Sequence, residues 1–320
     1  MKTAIYEKYG GPEVLRIIEA PIPSLAEDEI LVKVMATTVS IADARLRKAD
    51  PWAVKLVNGF PAPKNKVLGQ EFSGIVEGTG SAVTKFKIGD TVFGTTGLKM
   101  RAHAEYLAIS ENSTVILKPE KINFHTAAAA PFGAMTSLHF LRKGDTGPGK
   151  RMLVYGAAGN LGSAAVQIAV AMGAEVYGVC SGRNLALVKS LGAVEVINYE
   201  KENIDGFAGF FDAVYDTVGK SDFDLSVKAL KKGGRYLRAV HFSPGVVIRG
   251  IIENLKGNVK VIGGMYTDSP ADLKEIGELL AQEKLRPVID STWPMSAISE
   301  AHRVVDSGHK RGSVVVIPNG

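Results

Sequence analysis

Cysteine is almost missing from this chain: Cys180 is the single one in 320 residues. No intramolecular disulfide can form, so the sequence reads as that of a protein kept in a reducing, cytoplasmic setting. Tryptophan is scarce as well, with two residues. Basic runs are lacking. The densest cluster is Lys231, Lys232 and Arg235, and the net charge is only +5. That balance fits a solvated surface, or an anionic small ligand such as a phosphorylated cofactor, and no motif supports a nucleic-acid partner. Apolar runs of membrane-spanning length are lacking too. The most apolar stretch, 161–180, is interrupted by Gln167, Gly173 and Glu175 and reads as a buried helix followed by a buried strand. The first eight residues carry no apolar core of an export signal, so no membrane partner is expected.

What is abundant is the material of a globular protein. The chain is 46% hydrophobic and 22% charged, with 35 glycines that follow no fibrous period. Its length suggests two domains. In the first third, segments 30–36, 74–78, 87–94 and 104–109 read as short strands set off by Gly and Pro, which predicts a compact β-rich barrel. The character changes near residue 125. An apolar, alanine-rich helix over 126–141 leads into strands at 151–155, 175–180, 194–198, 211–217, 235–240 and 259–262. Helices at 161–172, 184–191 and 221–230 lie between them. This alternation predicts a parallel, doubly wound sheet. The tail, with helices over 272–283 and 298–306 and a strand over 313–317, does not extend the alternation. It is expected to return to the first domain. The expected division is therefore 1–125 with 264–320, and 126–263.

The sharpest local signal is Val154-Tyr155-Gly156-Ala157-Ala158-Gly159-Asn160-Leu161-Gly162. A strand enters it and an apolar helix leaves it. Gly159 and Gly162 hold the last two positions of the dinucleotide fingerprint, with Ala157 at the first. Gly159 would admit a pyrophosphate to the backbone, Gly162 would let the helix pack on the sheet, and the helix N-terminus would supply free N–H groups. Ala158, Gly159, Asn160 and Leu161 are thus the expected pyrophosphate site. The second strand ends Val179-Cys180-Ser181-Gly182-Arg183-Asn184, without the carboxylate that normally holds the ribose 2′-hydroxyl of NAD. Ser181 and Arg183, with Asn184 beside them, suit a 2′-phosphate instead, and NADPH is the expected cofactor.

These residues, together with segments elsewhere, resemble the medium-chain dehydrogenase/reductase superfamily, in particular its zinc-free quinone oxidoreductase branch. The other segments are Tyr9-Gly10-Gly11-Pro12-Glu13-Val14-Leu15, Leu68-Gly69-Gln70-Glu71-Phe72-Ser73-Gly74, Ala128-Ala129-Ala130-Pro131-Phe132-Gly133-Ala134-Met135-Thr136, and Phe211-Asp212-Ala213-Val214-Tyr215-Asp216-Thr217-Val218-Gly219. The resemblance covers essentially the whole chain. It implies an α/β protein with a GroES-like β-rich domain and a Rossmann domain, working as a homodimer, with the last Rossmann strand at the interface. Zinc-dependent members carry Cys where this chain has Ser40, and Gly-His-Glu where it has Gly69-Gln70-Glu71. The resemblance also places Thr136 at the nicotinamide ribose, Tyr199 near the adenosine phosphate, and Thr217 and Val218 at the cofactor crevice. It places Ser40 near the nicotinamide, as the candidate catalytic contact. The family's lysine before the final valines is not matched by Gly312-Ser313-Val314.

Without zinc, the natural hydride acceptor is already electron-poor, as quinones and α,β-unsaturated carbonyls are, because the charge delocalises and hydrogen bonds suffice to hold it. The expectation is an NADPH-dependent reductase of such a small molecule. Enoyl-thioester reduction is a rival of the same class. A non-catalytic NADPH-binding sensor or nucleic-acid-binding protein is a rival of another. Trp52, Phe60, Phe93, Phe242 and Tyr266 are apolar candidates for an interdomain substrate pocket, and no residue stands out as a general acid.

Overall fold

Period-two alternation shapes the N-terminal third. The computed structural model, which describes residues 1–239 and 244–318, begins with the hairpin of β1 (Lys2–Tyr6) and β2 (Leu15–Glu19). The long strand β3 (Glu29–Val39) follows, burying Ile30, Val32, Val34 and Ala36 completely on one face. After helices α1 (Ile41–Lys48) and α2 (Val54–Asn58) come β4 (Glu71–Thr79), β5 (Thr91–Thr95), β6 (Tyr106–Ser110), β7 (Val115–Leu117) and helix α3 (Phe124–Ala128). Strand β3 pairs antiparallel with β4 along one edge, and β6 covers the first half of its other edge. Register shifts between Leu31 and Val32 and between Val34 and Ala36 bend this sheet, as bulges do. Phe72, Val76, Val92, Leu107, Ile109 and Val115 fill its interior.

The second pattern starts with α4 (Pro131–Lys143) and runs β8 (Arg151–Tyr155), α5 (Asn160–Ala171), β9 (Glu175–Cys180), α6 (Leu185–Ser190), β10 (Glu195–Asn198), β11 (Phe211–Asp216), α7 (Phe223–Lys228), β12 (Leu230–Arg238), α8 (Pro244–Lys256) and β13 (Lys260–Gly263). The six strands form one parallel sheet in the order β10-β9-β8-β11-β12-β13. Met152, Leu153 and Val154 are all fully buried, the unbroken apolar run expected of a strand covered on both faces. The chain winds outward from β8 in both directions. The strand order therefore reverses between β8 and β11, and a crevice at their carboxyl ends is the site such sheets offer a ligand.

The tail supplies α9 (Pro270–Ala281), β14 (Ile289–Pro294), α10 (Ile298–Asp306) and β15 (Ser313–Ile317). Strand β15 pairs antiparallel with residues 37–39 of β3 and parallel with β14, so the C-terminus completes the first sheet. Two units result: residues 1–132, 268–282 and 287–320 in the first, residues 133–267 and 283–286 in the second. The first break falls seven residues beyond the expected 125. The reason is the end of α3, where Ala128 and the following Ala129 pack with Ala36 of β3 and Val315 of β15.

The return of the tail is fastened by a buried cation. The Arg47 side chain on α1 is wholly inaccessible. It donates to Asp306 Oδ2 at 2.7 Å, to His302 Nδ1 at 3.3 Å and to the Gly10 carbonyl at 3.1 Å. Removing one member of such a buried set strands the others without partners. Arg47→Ala is expected to destabilise the first unit by about 3 kcal/mol in denaturant unfolding. A loss below about 1 kcal/mol, the scale of a surface pair, would show that α10 is held by its apolar face alone.

Candidate functional site

The turn between β8 and α5 is built from backbone. Gly156 has φ +72°, a left-handed conformation suited to glycine. The N–H groups of Gly156 and Ala157 both donate to the Val179 carbonyl, at 3.0 and 3.1 Å, which ties the turn to β9. Gly159 is the N-cap of α5 and no side chain caps the helix. The first intrahelical bond runs from Ser163 N–H to the Gly159 carbonyl at 2.8 Å. The amides of Asn160, Leu161 and Gly162 precede it, at the positive end of the helix dipole.

The glycines here divide into two kinds. A Cβ on Gly162 would lie 2.1 Å from the Gly156 carbonyl oxygen, and one on Gly178 would lie 2.5 Å from a Val188 methyl. A Cβ on Gly133, in α4, would lie 1.9 Å from Asn160 Oδ1. Those three are glycine because protein atoms stand in the way. A Cβ on Gly159 would meet nothing nearer than the Gly156 carbonyl at 3.3 Å. Its bareness therefore leaves room for something outside the protein, beside uncapped amides, and a pyrophosphate fits that place. Ser137 of α4 donates to the Leu161 carbonyl at 2.8 Å, and Thr136 beside it is buried.

The end of β11 borders the same turn. A Cβ on Gly156 would lie 2.5 Å from a Val218 methyl and 2.9 Å from Thr217 Oγ1, so both residues flank the cradle. Asp216, fully buried, accepts from the N–H groups of Val218 and Gly219 at 3.0 and 2.6 Å and from the Ser221 hydroxyl at 2.6 Å. Thr217 donates its hydroxyl to the Tyr155 carbonyl at 2.6 Å. The structure thus gathers Ala158, Gly159, Asn160, Leu161, Thr217 and Val218 around Gly156. It sets Ser181, Arg183, Asn184 and the largely exposed Tyr199 at the neighbouring ends of β9 and β10.

One expectation at those ends needs correction. The sequence shows no acidic residue in the turn after β9, but the fold delivers one from the adjacent strand. Asn198 of β10 stands in register with Cys180 of β9, and two residues later Glu200 Oε2 accepts the Gly182 N–H at 2.9 Å. The sequence separation of 18 hid the contact. Burial and the Glu200 charge together push the Cys180 thiol up to about 11.

In the first unit, the residues expected to matter form a hydrogen-bonded polar cluster. Ser40 is the N-cap of α1 in a capping box with Asp43. Its hydroxyl donates to Asp43 Oδ2 at 2.6 Å, so its one proton is already committed. Asp43 also accepts the Gly69 N–H at 2.7 Å. Thr96 N–H donates to the Gln70 carbonyl at 2.7 Å, and Thr37 donates to the Glu71 carbonyl at 2.7 Å. Glu71 accepts from the Thr38 hydroxyl and from the Phe132 N–H at 2.8 Å. Amid these bonds the Gln70 side-chain nitrogen is buried with no partner. Burial raises the Glu71 carboxyl from 4.5 to about 7, against the lowering effect of its two donors and of Lys310. Lys310 lies two residues ahead of the segment where a lysine was sought. Its ammonium donates to the Gly312 carbonyl, and burial lowers it to about 8. Sequence reasoning met Glu71 only as part of the Gly69-Gln70-Glu71 segment and missed Lys310, which carries no motif.

The aromatic candidates fall in both units. Trp52 and Phe60 are mostly exposed and Phe93 is core. Tyr266 packs on His139 with ring centroids 5.3 Å apart, and Phe242 lies outside the described residues. An open groove of about 450 Å³, lined by Phe86, Ile116, Leu117 and Pro270 among others, shares no residue with the polar cluster.

Residues 26–133 match the alcohol dehydrogenase GroES-like domain family, and residues 191–316 match a family described as zinc-binding dehydrogenase. Over 332 residues the chain is 31% identical to the chloroplastic NADPH-dependent alkenal/one oxidoreductase of Arabidopsis thaliana, covering 99% of this chain and 80% of that one. The structure of the quinone oxidoreductase from Coxiella burnetii superposes with a TM-score of 0.88 at 32% identity, covering 99% of each chain. That of the Escherichia coli quinone oxidoreductase complexed with NADPH superposes with a TM-score of 0.83 at 26% identity, over 99% of this chain and 100% of that one. The chain belongs to the medium-chain dehydrogenase/reductase superfamily, and within it to the quinone oxidoreductase-like branch.

Glu71 generates a pH signature. Its carboxyl is raised in the folded chain, so between about 4.5 and about 7 the folded state keeps a proton that the unfolded state has lost. That contribution to stability is present at low pH and falls as pH rises through this window. Glu71→Gln lacks it. Denaturant unfolding at pH 5 and at pH 7.5 should show the variant gaining on the wild type between the two, by on the order of 2 kcal/mol. A flat or declining difference would contradict the raised carboxyl.

Proposed function

We propose that this protein is an NADPH-dependent reductase of quinones or α,β-unsaturated carbonyls, working without a metal ion. The observation that carries the proposal is the uncapped N-terminus of α5 behind the open Gly159, in a chain whose relatives are named for these activities. NADPH, when bound, supplies the hydride. The chain's own part is to hold the pyrophosphate on the amides of Asn160 and Leu161. Val218 and Thr217 flank that turn, and Thr136 and Tyr199 serve as further contacts. Arg183, Ser181 and Asn184 belong to the adenosine end.

The donor set in the first unit favours an electron-poor acceptor. Zinc in catalytic sites takes three protein ligands. Here Ser40 has committed its hydroxyl to Asp43, Gln70 offers an amide, and both oxygens of Glu71 already accept hydrogen bonds. These residues do not suit a zinc ion. Gln70, with its buried and unpartnered amide nitrogen, is the neutral donor this unit keeps for a substrate oxygen. A conjugated acceptor spreads its charge and needs no stronger polarising group, while a saturated ketone does. Ser40 acts chiefly through the cap that fixes α1.

Two finer features accompany this reading. The protein pairs with a second copy through β13, an edge strand of the parallel sheet. Support comes from the apolar residues exposed beside it on α8, with Ile248 57%, Ile251 54% and Leu255 82% accessible. Its setting is cytoplasmic and reducing, which suits the single, buried Cys180. Among the described residues no helix is long and apolar enough to cross a membrane.

Gly159→Val should still fold, with the Gly156 carbonyl 3.3 Å from the added Cβ giving by a few tenths of an ångström, yet abolish NADPH binding as followed by cofactor fluorescence. Full binding by the folded variant would remove the cradle from the account. Arg183→Ala should weaken NADPH by roughly 1.5–3 kcal/mol, the worth of a hydrogen bond to a charged group. In a side-by-side assay a benzoquinone and an enone should be reduced and the matching saturated ketone left nearly untouched. Equal rates on ketone and enone would demand a carbonyl-polarising group stronger than Gln70.

A further inference from the structure

The turn that ends β9 holds an internal carboxylate where a dinucleotide's ribose is read. In doubly wound folds the ribose 2′ position falls at the end of the second strand of the sheet, where a carboxylate suits a hydroxyl and a cation suits a phosphate. Here the second strand is β9, and its following residues are Ser181, Gly182, Arg183 and Asn184. Glu200 reaches them from the end of β10 and occupies the Gly182 N–H at 2.9 Å. The placement is built. Glu200 N–H donates to Asn198 Oδ1 at 3.1 Å, and Glu202 Oε1 accepts the Asn198 N–H at 3.2 Å, which folds the chain back at the strand end. A Cβ on Gly182 would lie 2.9 Å from Asn198 Nδ2 and 3.2 Å from Glu200 Oε2, so a side chain there would push these two groups aside. The remaining orphan at the turn is also an acceptor. Asn184 gives its amide N–H to Ser181 Oγ at 3.0 Å, and its Oδ1 is buried without a partner.

Acceptors of this kind suit ribose hydroxyls, which donate. A 2′-phosphate is an anion with acceptor oxygens, and it needs the amide that Glu200 holds. We infer that Glu200 sets the choice between NADPH and NADH: its carboxylate competes with the 2′-phosphate for the Gly182 amide, and NADPH binds by displacing it. Glu200 is exposed and can swing into solvent, so the phosphate is opposed and not excluded. Arg183, next in the chain, carries the attraction that Glu200 offsets. This inference rests on the NADPH reading above and refines it.

The test is calorimetric titration of the folded wild type, Glu200→Gln and Glu200→Ala with NADPH and with NADH, and with the fragments 2′,5′-ADP and 5′-AMP. Like charges about 4 Å apart repel measurably even in water. Both variants should therefore bind NADPH and 2′,5′-ADP about fivefold or more tightly than the wild type, with NADH and 5′-AMP unchanged or weaker. A ratio of NADH to NADPH dissociation constants that shifts less than twofold in both variants, or shifts toward NADH, overturns the role of Glu200 while leaving the cofactor assignment standing. Failure of every protein to bind either dinucleotide overturns the cofactor reading and this inference together.

Discussion

The contact on which the second unit depends is the meeting of a helix end with a strand end. Gly162 of α5 lies so close to the Gly156 carbonyl that a single added carbon would stand 2.1 Å from it. That approach pulls the α5 N-terminus down onto the carboxyl end of β8. It fixes where the free amides of Asn160 and Leu161 stand, beside the point where the strand order reverses between β8 and β11. The same compression makes glycine necessary at 178 and at 133, where Val188 and Asn160 would otherwise collide with a side chain. Of the four, Gly159 is the least crowded, with the Gly156 carbonyl at 3.3 Å its nearest neighbour, and that difference separates a packing glycine from a binding one.

In the first unit the organising group is Asp43. One of its oxygens takes both the Ser40 hydroxyl and the Ser40 amide, and the other takes the Gly69 amide, so a buried carboxylate is saturated by three donors. The Gly69-Gln70-Glu71 segment is held by this bond and by Thr96, Thr37, Thr38 and Phe132. What it leaves over is modest: an unpaired neutral amide on Gln70, and on Glu71 a carboxyl moved toward neutrality. Such a site supplies hydrogen bonds, and the positive charge of the buried Lys310 ammonium is set against the Glu71 carboxyl. The chemistry it can support is set by the electron demand of the acceptor.

Local features were legible in the sequence, and distant ones were not. The alternation of strands and helices after residue 130 and the glycine turn at 156–162 are written in short-range periodicity and in residues with unusual backbone freedom. The return of the tail to the first sheet was readable because 272–317 broke that alternation. The Glu200 contact was invisible because it depends on the parallel register of β10 with β9, and nothing in Tyr199-Glu200-Lys201 marks a site. The Arg47 clamp joins residues 259 apart and was equally hidden. Ser40 stood where family resemblance suggested a cofactor or substrate contact. Its geometry as an N-cap followed from the Asp three residues later, a pattern that a search for chemistry passes over.

On this reading a dinucleotide sits on the bare backbone between β8 and α5. Amide hydrogen exchange with and without saturating NADPH tests it directly. Added protection is expected at the amides from Gly156 to Gly162 and in the turn from Ser181 to Asn184, with the Ser40–Lys48 capping segment showing the smaller change. Saturation with NADPH that leaves the amides of Asn160 and Leu161 exchanging at their original rate would contradict it.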